Sequence, residues 1–130
     1  MAKVLIVEDQ TADAHFAADV VRSLGISDSD IEARSTAGSA KVYLEAAMEK
    51  NEAPDVIVLD LDLGYDSGHE VLRYWHTHRG AHNPRMVVWT VMGKEQQEMC
   101  KLFNVDAVVP KYEGAEGLAS AIRPLAAKAS

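Results

Sequence analysis

The sequence predicts a doubly wound α/β fold, a parallel sheet covered by helices on both faces. Three observations lead there. Short apolar runs rich in β-branched residues alternate with longer amphipathic stretches, five of each. The clearest runs, Val4-Leu5-Ile6-Val7 and Val56-Ile57-Val58-Leu59, are apolar without alternation, as strands buried on both faces must be. Both end abruptly at acidic residues.

Taken in order, the first run is followed by a helix from about Thr11 to Leu24. It carries Ala14, Ala17, Val20, Val21 and Leu24 at helical spacing and is closed by Gly25. Ile31-Glu32-Ala33-Arg34 is short and half polar, and is assigned as a strand mainly because the alternation of units requires one there. A second helix from Ala37 to about Lys50 places Ala40, Tyr43, Leu44, Ala47 and Met48 on one stripe. Pro54 breaks the chain before the third strand, and Gly64 and Asp66 mark a loop after it. Ser67-Gly68-His69-Glu70 has capping-box spacing, with Ser67 as cap and Glu70 reaching back, and opens a helix through Val71, Leu72 and Trp75. Asn83-Pro84 precedes a fourth strand, Met86-Val87-Val88-Trp89-Thr90. A helix from about Lys94 to Phe103, a fifth strand Ala107-Val108-Val109, and a helix from about Ala115 through Leu118, Ala121, Ile122 and Leu125 complete the pattern. Pro124 is expected to kink that last helix or end it early.

The 130 residues are read as one domain, with 48% apolar and 25% charged residues in the ordinary globular range. Thirteen basic residues against twenty acidic ones leave a formal charge of -7, which repels a phosphate backbone, so nucleic acid is not expected as a partner. One cysteine, Cys100, excludes an internal disulfide, fits a reducing compartment and reads as a small buried apolar residue. The N-terminal apolar stretch is too short for a signal peptide and no run approaches a membrane span, so a cytoplasmic protein without membrane contact is expected.

The chemistry gathers where the strands end. The first strand is followed by Glu8-Asp9, the third by Asp60, the fourth ends in Thr90, and Lys111 follows the fifth. In an open parallel sheet these positions converge on one rim. Three carboxylates packed there need a cation or protonation to coexist, and an all-oxygen, thiol-free set favours magnesium or a similar ion. Phosphoryl transfer needs little beyond positioning and charge stabilisation, so Asp60 is the candidate nucleophile, with Thr90 and Lys111 binding phosphoryl oxygens.

These fragments, Val7-Glu8-Asp9, Val58-Leu59-Asp60, Trp89-Thr90, Val109-Pro110-Lys111 and the Ser67-to-Leu72 segment with its glycine, resemble the receiver domains of two-component response regulators over essentially the whole chain. The resemblance implies a flavodoxin-like (βα)5 fold with strand order 2-1-3-4-5, and a receiver domain spanning 1–130 with no output domain. It implies phosphorylation of Asp60, with magnesium bound directly by Asp9 and Asp60, through water by Glu8, and by the backbone carbonyl of Asp62. Thr90 and Lys111 would hold the phosphoryl group. The donor would be a phosphohistidine on a sensor histidine kinase or a histidine phosphotransfer protein, catalysis would be confined to the domain's own phosphorylation and dephosphorylation, and the state would be a monomer or weak homodimer. A downstream protein would read the face built from the fourth helix, fifth strand and fifth helix, near Lys94, Gln97 and Tyr112.

The chain departs from the family pattern at several positions. Gly64 stands where the family usually has Pro, Val91 where a small residue follows the switch hydroxyl, Val108 where an aromatic is common, and Tyr112 where Pro follows the lysine. Val91 is expected to crowd the approach to Asp60, and Asp62 to influence how water attacks the phosphoryl group. Two other readings are weighed against this one. Leu59-Asp60-Leu61-Asp62 resembles the Asp-x-Asp signature of haloacid-dehalogenase-type phosphatases, with Asp60 as nucleophile and Asp62 as acid/base. The departures at Val91, Val108 and Tyr112 suit an adaptor that works without phosphate. Among the histidines, His76, His78 and His82 do not share a helix face and are read as exposed at a helix end, not as a metal site, with His15 and His69 on the surface.

Overall fold

The computed structural model describes residues 2–64, 66–80, 83–91 and 93–128. Five strands form one parallel sheet: β1 (Val4–Val7), β2 (Ile31–Arg34), β3 (Val56–Leu59), β4 (Arg85–Thr90) and β5 (Ala107–Pro110). Their spatial order is 2-1-3-4-5. The helices are α1 (Thr11–Ser23), α2 (Ala37–Glu49), α3 (Gly68–His78), α4 (Lys94–Phe103) and α5 (Gly114–Ala127). The weakly patterned second strand is present with the bounds expected of it.

Two cores follow from strand alternation. Leu5, Val7, Ile57, Leu59, Met86 and Val88 point to one face, where Leu44 of α2, Leu72 and Trp75 of α3 and Cys100 of α4 cover them. Val4, Ile6, Val56, Val58, Val87 and Trp89 point to the other, beneath Val20 and Val21 of α1 and Leu118 and Ile122 of α5. Burial on both faces explains why β1 and β3 show no polar alternation. Cys100 is buried as expected, and burial pushes its thiol pKa up.

The structure corrects three local expectations. The segment after β3 is a small hairpin, Asp62–Leu63 pairing antiparallel with Asp66–Ser67. Ser67 does cap α3, but its hydroxyl accepts from the amide of His69, while the Glu70 carboxylate lies 4.0 Å from the Lys41 ammonium instead of reaching back. Pro124 does not end α5, which runs on to Ala127. Leu118, Ala119 and Ile122 anchor that helix to the sheet, and Leu125 and Ala126 keep packing on the same core past the proline. His76 and His78 close α3; the His76 ring meets Phe103 edge-on and His78 bonds the Tyr74 carbonyl. His15 is exposed, His69 is half-buried with its ring bonded to Ser67, and His82 lies outside the described residues.

Candidate functional site

The sheet ladders position the site. The amide of Glu8 still bonds the carbonyl of Arg34, and that of Asp60 bonds the carbonyl of Val7, so both acids leave the sheet on fixed backbone. Thr90 is the last residue of β4, opposite Pro110, and Lys111 opens a short 3₁₀ turn directly after β5. The runs of β1, β3 and β4 thus deliver a polar side chain to the carboxyl rim one residue after Val7, Leu59 and Trp89, and β5 does so two residues after Val109.

Asp60 is held on both oxygens. Its Oδ1 accepts the Thr90 hydroxyl at 2.6 Å and the Asp62 amide at 3.0 Å, and its Oδ2 accepts the Lys111 ammonium at 3.0 Å. The same ammonium lies 2.8 Å from Glu8 Oε2 and 2.7 Å from Asp13 Oδ2. Glu8, Asp60 and Thr90 are the buried polar residues among those described. A cleft of about 290 Å³ opens above them, lined by Asp9, Asp13, Asp60, Thr90, Val91 and Lys111 among others.

The electrostatics are unbalanced. Glu8, Asp13 and Asp60 all bond one lysine, and Asp9 and Asp62 line the same cleft. Burial pushes the Glu8 carboxyl up to about 7; bonds from Lys111 and the Gln10 amide pull against it, and the charge of Asp60 adds to it. For Lys111, burial acts downward, but the bonds to Asp13, Glu8 and Asp60 outweigh it and hold the ammonium above its ordinary pKa. Carboxylate oxygens of Glu8, Asp9 and Asp60 lie within 4.8 Å of one another, a spacing and donor chemistry that fit a hard divalent cation. The Asp62 side chain is outside this trio: it is exposed, and its Oδ1 accepts the Gly64 amide at 3.3 Å.

Two glycines shape the rim. A Cβ at Gly68 would fall 2.2 Å from the Asp60 carbonyl oxygen and 2.6 Å from the Leu61 Cα, so the close crossing behind Asp60 requires glycine. Gly64 has φ +69°, which proline cannot adopt, and a Cβ there would sit 3.0 Å from Asp9 Oδ2. Val91 stands at the mouth of the cleft, 76% exposed. Tyr112 is 85% exposed and follows Lys111 through a trans peptide.

All the predicted side chains, Glu8, Asp9, Asp60, Asp62, Thr90 and Lys111, are therefore at one rim. Sequence reasoning missed Asp13 and the ring of Trp89. Asp13 lies in the first turn of α1, the helix that leaves the rim directly after Glu8-Asp9, and that nearness was the available signal. Trp89 stacks on Phe16 with centroids 5.9 Å apart, and the Lys111 ammonium sits 4.8 Å from its ring centroid.

No protein-family model and no curated protein matches the chain. Solved structures do. Chemotaxis protein CheY4 of Vibrio cholerae superposes with a TM-score of 0.79 at 18% identity, covering 96% of this chain and 98% of that one. The phosphorylated cyanobacterial phytochrome response regulator RcpA gives 0.75 at 21% identity over 95% of this chain and 90% of its own. The Mn(2+)-bound form of response regulator Rcp1 gives 0.72 at 22% identity over 96% and 91%. The chain has the fold of response-regulator receiver domains.

Proposed function

We propose that the chain is a phospho-acceptor signalling domain in which Asp60 receives a phosphoryl group from a phosphohistidine on a kinase or phosphotransfer protein. The observation that carries this reading is the Asp60 carboxylate itself, buried at a strand end, facing a cleft, with a hydroxyl and an ammonium already directed at it. In the reaction a carboxylate oxygen of Asp60 bonds to phosphorus as the phosphorus–nitrogen bond of the donor breaks. The electron pair of that bond leaves with the imidazole. Thr90, now a donor to Asp60, would donate to one phosphoryl oxygen instead, and Lys111 would donate to another and offset the charge that arrives.

Glu8, Asp9 and Asp60, with the backbone carbonyl of Asp62, would hold magnesium, which supplies neutralisation of the acidic rim and of the phosphoryl oxygens. Among the similar structures, Rcp1 is a Mn(2+)-bound form and the DrrB receiver domain is a BeF3-activated one. Output would pass to a protein partner through the face of α4, β5 and α5, where Gln97, Lys101, Val108 and the exposed Tyr112 line a groove. The excess of acidic over basic residues, twenty against thirteen, favours a protein partner over a phosphate backbone.

The reading is tested by titrating beryllofluoride with magnesium into the protein and following the amide spectrum by NMR. Shifts centred on Asp60, Thr90 and Lys111 that need magnesium, and that vanish in Asp60→Ala, are expected. An unchanged spectrum at saturating magnesium would favour an adaptor that works without phosphate.

A further inference from the structure

We propose that Asp13 is a competing counter-ion that holds Lys111 back from an incoming phosphoryl group and so sets how readily Asp60 is phosphorylated. The inference rests on the phospho-acceptor reading above. An ammonium has three N–H donors. In this structure all three have a carboxylate partner: Asp13 Oδ2 at 2.7 Å, Glu8 Oε2 at 2.8 Å and Asp60 Oδ2 at 3.0 Å. Lys111 therefore has no free donor for a phosphoryl oxygen, and one of these bonds has to open first.

Burial decides which. The Glu8 side chain is 0% exposed and that of Asp60 is 5% exposed, so losing the ammonium would leave either as a buried charge without its partner. The Asp13 side chain is 41% exposed, and water replaces the ammonium there at little cost. The Asp13 bond, though the shortest, is the one that yields. Asp13 opposes the phosphoryl group in a second way, because it lines the same cleft as Asp60 and its charge repels an anion. The freed ammonium keeps a favourable surface in the Trp89 ring, whose centroid is already 4.8 Å away. Asp13 belongs to α1 and Lys111 to the turn after β5, so the pair spans two elements and neither residue follows the other by local geometry alone.

The test compares the parent, Asp13→Asn and Asp13→Glu, all as the full chain. Asn keeps the shape and removes the charge. Beryllofluoride titrated with magnesium is expected to bind Asp13→Asn about fivefold more tightly than the parent, the yield of releasing one half-exposed ion pair. Asp13→Glu is expected to return toward the parent value. In the metal-free proteins, the Lys111 ammonium protons, followed by NMR, are expected to exchange with water several-fold faster in Asp13→Asn. Equal or weaker beryllofluoride binding by Asp13→Asn, with normal binding by the parent, overturns the role of Asp13 and leaves the phospho-acceptor reading standing. Unchanged ammonium exchange also overturns it. Absence of binding by parent and variants alike overturns the phospho-acceptor reading, and this inference with it.

Discussion

At the scale of single residues, backbone geometry explains two glycines at the rim. Gly64 stands where the receiver domains that the chain resembles usually carry proline, and its φ of +69° excludes proline outright. Gly68 has no room for a methyl group, since a Cβ would press on the backbone of Asp60 and Leu61. Gly68→Ala is accordingly expected to cost about 3 kcal/mol in a urea melt, by forcing apart backbone that cannot shift cheaply. Val91 presents its two methyl groups at the cleft mouth while remaining open to solvent. Val91→Ala should react with acetyl phosphate several-fold faster than the parent and leave stability nearly unchanged. An equal rate would mean the valine does not obstruct the approach.

At the scale of elements, most of the fold was legible because the apolar runs have unambiguous periods. Val4–Val7 and Val56–Leu59 read as buried strands, and Lys94–Phe103 was placed to the residue. Ile31–Arg34 is an edge strand, half-buried and half-polar, so only the alternation of units betrayed it. The hairpin after β3 was read as a loop because strands of two residues have no period to detect. Pro124 does not end its helix for a different reason: the helix is fixed by packing on both sides of the proline, and tertiary contacts override the local penalty. A cap that sequence reading passed over is Thr36, whose hydroxyl accepts the Ser39 amide at 3.1 Å at the start of α2. Thr36→Ala should lower stability by about 1 kcal/mol without altering phosphorylation, as read by a denaturant midpoint and an acetyl phosphate time course.

At the scale of the whole molecule, the sheet gathers charge that the chain's own cations do not balance. The strand ends predicted the rim, and Glu8, Asp9, Asp60, Thr90 and Lys111 all reached it. Asp13 escaped because a lone acid in a first helical turn reads as an ordinary dipole partner. The acidic excess has a measurable consequence for the metal-free protein. The buried Glu8 carboxyl is raised from 4.5 to about 7, so the folded state binds its proton more tightly than the unfolded chain does. Its contribution is favourable below the unfolded value and is lost progressively as pH rises through about 7. Metal-free Glu8→Gln should therefore lack this loss and gain stability over the parent as pH rises from 5 to 8. A gain that is the same at both ends of that range would assign the effect to packing instead.

The central claim is that Asp60 itself carries the phosphoryl group. After incubation with magnesium and acetyl phosphate, borohydride reduction converts an aspartyl phosphate to homoserine, which peptide mass spectrometry locates. Homoserine is expected at position 60 only, dependent on magnesium and absent from Asp60→Ala. Homoserine at Asp9 or Asp62, or none at any position under conditions where the protein binds magnesium, would contradict it.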